Sequence, residues 1–152
     1  MTALPEPAAV EILEGCSPGE IPARVFESTV PLLLKGLVAG WPAVAACSQS
    51  LAAAQRYLSG FWIDQPVTVY VGDAGIDGRF FYNDDFTGFN FRSGSAHLGQ
   101  VMQKLAEQES SAAGSAIYVG STPVDRWLPG FRAQNDVKLP SSDALPSFWL
   151  GS

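Results

Sequence analysis

The chain of 152 residues contains a single histidine, His97, and two cysteines, Cys16 and Cys47. A zinc site draws three or four ligands from histidine, cysteine and carboxylates, and a non-heme iron facial triad takes two histidines and a carboxylate. One imidazole cannot supply the facial triad. The cysteines have neither Cys-x-x-Cys spacing nor a secretory context, so they read as buried or incidental thiols rather than a disulfide or metal pair. Cations are scarce as well: nine Lys and Arg stand against fifteen Asp and Glu, for a net charge of −6, and they are scattered along the chain. No nucleic-acid partner is expected without a basic face. No run approaches the roughly 18 apolar residues of a membrane span, and the start, Met1 to Pro7, lacks the basic stretch of a secretory signal. The expectation is a cytoplasmic protein that does not enter a membrane. No internal repeat is visible.

What is present is apolar material, 47% of the residues, enough for one core in a single domain. Ala9 to Leu13 reads as a short strand, and Ser17-Pro18-Gly19-Glu20 as an N-cap with proline just inside a helix through Phe26. Val30 to Lys35 is continuously apolar up to the lysine and predicts a strand covered on both faces, deep in the sheet. Gly40-Trp41-Pro42-Ala43 predicts a turn into a helix, with a second helix over Leu51 to Leu58 and with Trp41 and Trp62 packed beneath. Val67 to Val71 alternates as a strand, and Gly72, Gly75 and Gly78 mark a loop before Arg79 to Tyr82, giving a hairpin or two neighbouring strands. From Ser95 to Gln108 the residues Leu98, Val101, Met102 and Leu105 fall on one helical stripe. Ser110 to Ser115 reads as a linker, Ala116 to Gly120 as a strand, and Pro123 to Trp127 as one helical turn. A proline-bearing loop then leads to a last apolar strand, Ser147 to Gly151.

Several chemistries can be tested on the residues themselves. Gly15-Cys16-Ser17-Pro18-Gly19 matches the spelling of a nucleophile elbow, but that motif uses the N–H of the residue after the serine, and Pro18 has none. Gly72 to Gly78 has glycines without the Gly-Lys-Ser/Thr ending of a phosphate loop, and its aspartates repel phosphate. Asp84 and Asp85 are neighbours in an extended segment, pointing opposite ways, and read as a solvated loop. His97 falls off the apolar stripe near a helix start, where the dipole opposes its protonation, and reads as a surface or cap-region residue.

Taken together, five groups of segments resemble the cupin-like, JmjC-related proteins of bacteria. They are Pro31 to Leu37 with Gly40 to Ala43, Phe81-Tyr82-Asn83-Asp84, Gly88-Phe89-Asn90-Phe91, Tyr118 to Pro123 with Leu128 to Phe131, and Ser147 to Gly151. The resemblance implies an α+β chain forming the N-terminal portion of a double-stranded β-helix, with flanking helices and an incomplete sheet. It implies one partial domain over residues 1–152, with an N-terminal strand and helix over about 1–28 and flanking helices and outer strands over about 30–152. The full-length relatives resemble Fe(II) and 2-oxoglutarate dependent oxygenases. In them a strand like Phe148 to Gly151 is followed by His-x-Asp and, much later, a second histidine, none of which this chain includes. The ending Gly151-Ser152 also departs from the Gly-Asn common in such proteins.

By this resemblance Tyr118 reaches the 2-oxoglutarate carboxylate, with Thr122 a weaker neighbour; no catalytic residue and no metal ligand carries over. The chain is expected to be a short product without its catalytic half and to be inactive alone. The alternatives are an interaction module pairing through its last strand, by self-association or with another chain, and one half of a split oxygenase. The parent family's substrate is a protein or a small molecule. An apolar groove with Phe148, Trp149 and Tyr118 on or near its walls is expected where further strands would lie, together with marginal folding or oligomerisation.

Overall fold

A computed structural model describes residues 9–109 and 114–152. Met1 to Pro7 and residues 110–113 of the expected linker lie outside them. The architecture is α+β with an open antiparallel sheet, and no barrel closes among the described residues. Two strands, β1 (Glu11–Leu13) and β2 (Leu32–Leu34), form a small parallel ribbon around the helix α1 (Ala23–Glu27). Helices α2 (Pro42–Gln49) and α3 (Leu51–Ser59) lead to β3 (Pro66–Gly72), β4 (Phe91–His97) and α4 (Leu98–Glu109). β5 (Ala116–Pro123), the single turn α5 (Val124–Trp127) and β6 (Ser147–Gly151) complete the chain, and the main sheet has the order β4-β3-β5-β6.

The core lies between one face of this sheet and α4. Val67 and Val69 of β3 and Ile117 and Val119 of β5 meet Leu98, Val101, Met102 and Leu105, the stripe legible in the sequence. Phe148 and Leu150 of β6 pack on its margin, as do Leu51 and Leu58 of α3 and Trp62. Full burial of such side chains stabilises by about 1.5–3 kcal/mol each. Met102 and Val119 are the most deeply enclosed.

Five local expectations are corrected. Val30 to Lys35 does not enter the main sheet: β2 pairs only with β1, and Leu33 is 51% exposed. Its apolar run reflects a ribbon packed on one side rather than a buried central strand. Ser17 caps no helix; its carbonyl accepts from the Glu20 N–H at 3.0 Å in a turn, and α1 begins five residues after Pro18, behind Pro22. Arg79 to Tyr82 is not the partner of β3, which instead pairs with β4 from Pro66↔His97 to Gly72↔Phe91. Ser95 to His97 belongs to that strand, so the helix starts only at Leu98. Trp62 joins the core margin as expected, whereas Trp41 stands at the N-cap of α2 and is not part of the cluster.

The start of α2 has a solution that spacing does not reveal. Trp41 provides no side-chain cap and Pro42 occupies the first turn, leaving later N–H groups to be satisfied. Asn135 does so from across the fold: its Oδ1 accepts from the Ala43 N–H at 3.0 Å, and its Nδ2 donates to Tyr57 Oη at 2.8 Å and to Phe131 O at 3.0 Å. This amide is 3% exposed and ties α2, α3 and the 131–133 turn together.

Candidate functional site

The face of the sheet opposite α4 is open. Strand alternation places Tyr70, Phe91 and Tyr118 there, and their rings meet: Tyr70 lies 6.1 Å from Tyr118 and 5.5 Å from Phe91. Phe80, arriving from the loop after β3, closes the group at 5.7 Å from Tyr118 and 5.5 Å from Phe91. Two glycines make room for this arrangement. A Cβ at Gly120 would lie 3.1 Å from the Tyr70 ring, and one at Gly151 would lie 2.9 Å from Ile117 O and 3.3 Å from the Tyr118 ring.

Tyr118 is half-buried and forms one wall of a cleft of about 870 Å³. Arg79, Phe80, Tyr82, Asn90 and Ser152 contribute to the other walls. Ser152 is anchored to β5, its N–H donating to Ile117 O and its Oγ accepting from the Ile117 N–H, both at 3.1 Å. Arg79 gives the cleft a cation, 83% exposed and only 3.9 Å from Asp77. In the sequence Arg79 opens an apparent strand, and no spacing signal connects it to Tyr118; the fold of the intervening loop does.

Thr122 occupies a different place. It is 6% exposed, and its Oγ1 donates to Gly120 O at 2.8 Å across the irregularity between Val119 and Thr122 where β5 shifts register against β6. It lines a smaller recess of about 280 Å³ with Tyr70 and Trp127, so it does not share the large cleft with Tyr118. Of the aromatic residues expected on the groove walls, Tyr118 lines the cleft. Phe148 turns to the core instead, while Trp149 is 57% exposed on β6.

The described residues do not fit an iron centre. His97 ends β4 beside Pro66, at the far end of β3 from the cleft. Its Nδ1 lies 2.5 Å from Asp64 Oδ1, a close contact that lacks hydrogen-bond geometry. Among the described residues no three histidine, cysteine, aspartate or glutamate side chains are gathered where they could hold a metal ion. Cys16 and Cys47 are unpaired, and Cys47 is exposed. No helix among the described residues is long and apolar enough to cross a membrane.

A family model described as a cupin-like domain matches residues 18–152. The chain belongs to the cupin-like domain family. No curated protein and no solved structure matches it. The cupin-like match includes α4 and all four strands of the main sheet, and with them the residues that line the Tyr118 cleft.

Proposed function

We propose that these residues form the cosubstrate-facing part of a JmjC-related, 2-oxoglutarate oxygenase-type scaffold. Tyr118 donates its hydroxyl to a dicarboxylate of the 2-oxoglutarate kind held in the cleft. The observation that carries this reading is the position of Tyr118: it stands on the open face of a cupin-like sheet, and its hydroxyl has no hydrogen-bond partner among the described residues. Arg79 adds a positive charge to the same cleft, and a guanidinium suits a carboxylate. Thr122 shapes the strand that carries Tyr118 by holding the β5 irregularity. A facial triad takes two histidines, so at least one would have to come from outside these 152 residues, and no turnover is assigned to them alone. Free thiols fit a reducing, cytoplasmic setting.

Saturation-transfer NMR of the chain with 2-oxoglutarate tests the reading. The wild type is expected to show saturable contact that succinate competes for, and Tyr118→Phe to weaken it about tenfold or more, the loss of one hydrogen bond to a charged group. Equal binding by wild type and Tyr118→Phe, or no contact at millimolar ligand, would overturn it.

A second reading is favoured by β6. This strand ends the sheet order, so its outer edge is unpaired among the described residues, and its five residues carry no charge and no proline. Such an edge templates pairing with another strand. A module built this way self-associates or takes up a separately encoded half. Sedimentation analysis decides: a monomer at all concentrations, with and without candidate partners, removes this reading.

A further inference from the structure

The loop between β3 and β4 displays aromatic rings on the outside of the protein. Phe86 is 71% exposed, Phe89 60%, Phe81 59% and Tyr82 48%. They form a ladder: Phe91 stacks on Phe89 at 4.9 Å, Phe89 on Tyr82 at 5.3 Å, and Tyr82 meets Phe86 at 6.1 Å. The loop is internally braced. Asn83 N–H donates to Gly88 O at 3.0 Å, the Gly88 N–H donates to Asn83 Oδ1 at 3.1 Å, and Asn90 bonds both Phe81 N–H and Arg79 O. Phe86 adopts a left-handed backbone at φ 59°, a conformation costly for a bulky residue, so the bracing holds a ring in solvent against its own preference.

Charge indicates what such a surface fits. Between Asp73 and Arg92 the sequence has four aspartates and two arginines. Arg92 lies 3.4 Å from Asp73 and Arg79 lies 3.9 Å from Asp77, which leaves Asp84 and Asp85 beside the rings without a cation, Asp85 Oδ1 accepting from Thr87. No protein cation pairs with either among the described residues. Ring faces attract cations through the aromatic quadrupole, arginine most often, and adjacent carboxylates add to that attraction. An apolar partner would instead leave both carboxylates facing an uncharged surface.

We propose that the 81–89 loop is a docking surface for a basic polypeptide segment, whose arginine or lysine side chains lie over Phe86, Phe89 and Tyr82 with Asp84 and Asp85 beside them. The segment passes the mouth of the Tyr118 cleft, which Phe81, Tyr82 and Asp84 also line. The docking surface stands whether or not that cleft holds a dicarboxylate.

Fluorescence anisotropy of the 152-residue chain with a labelled Gly-Arg repeat peptide tests this, against the same peptide with citrulline for arginine. The arginine peptide is expected to bind at least about fivefold more tightly, and the double variant Phe86→Ala/Phe89→Ala to lose about fivefold or more. Both rings are exposed, so circular dichroism of the double variant should match the wild type. Asp84→Asn should weaken binding more than Asp143→Asn, an exposed change outside the loop that removes the same charge from a chain of net −6. Equal binding of the citrulline peptide, no effect of removing the rings, or equal effects of the two aspartate changes would each overturn the proposal. Self-association lost in Phe86→Ala/Phe89→Ala without peptide binding would also overturn it and assign the surface to a second copy.

Discussion

Asn135 satisfies the start of α2, the Tyr57 hydroxyl and the Phe131 carbonyl with one amide. Asn135→Ala therefore leaves the part-buried Ala43 N–H without its acceptor and the Tyr57 hydroxyl with only Gln134 Oε1 at 3.3 Å, and is expected to lower stability by about 1–2 kcal/mol in urea unfolding. An unchanged midpoint would show that water replaces the amide. Asp85 carries a pH dependence whose sign follows from its hydrogen bonds. Its carboxylate accepts from Thr87 Oγ1 at 2.7 Å and from the Thr87 N–H at 3.1 Å, and these bonds hold its pKa below the usual carboxylate value. A lowered folded pKa contributes stability that is fully present above the unfolded value, about 3.9, and is lost as pH falls through the folded one. The Thr87 amide resonance should accordingly move only below about pH 4, and Asp85→Asn should abolish that titration.

Among the elements, α4 is legible in its buried stripe, though not in its start, since Ser95 to His97 belong to β4. Its stripe puts Met102 at 1% exposure against the sheet. Met102→Ala is expected to cost about 2–5 kcal/mol, read as a fall in thermal midpoint. By contrast, β2 was illegible in its environment: three consecutive leucines look like a central strand, yet its parallel partner β1 is only three residues long and covers one edge. The loop from Gly72 to Phe91 was legible as a loop at its glycines but not at Arg79 to Tyr82. Those residues are β-formers whose pairing is local, with a single bridge from Tyr82 to Phe89, and that local fold is what turns Arg79 toward Tyr118's cleft. The strand position of Tyr118 is legible through family resemblance, while the role of the glycines that give its ring room, Gly120 and Gly151, is not, because it depends on cross-strand neighbours. Gly151→Ala, forced against Ile117 O, should shift β6 and weaken any ligand contact at Tyr118.

For the whole molecule, the open sheet gives one face to α4 and leaves the other to aromatic side chains, with β6 at the edge. The cleft, the aromatic loop and the edge all lie on the parts of the cupin-like sheet not covered by helix. The unpaired edge predicts concentration-dependent association, measured by sedimentation, and a charged substitution such as Trp149→Lys on β6 should reduce it. We propose that these residues build a cupin-like cosubstrate wall without an iron centre of their own. Isothermal titration of the 152-residue chain with Mn(II), as a stand-in for Fe(II), tests it most directly. No saturable one-to-one heat is expected, with or without 2-oxoglutarate; tight stoichiometric binding would show that these residues hold a metal themselves.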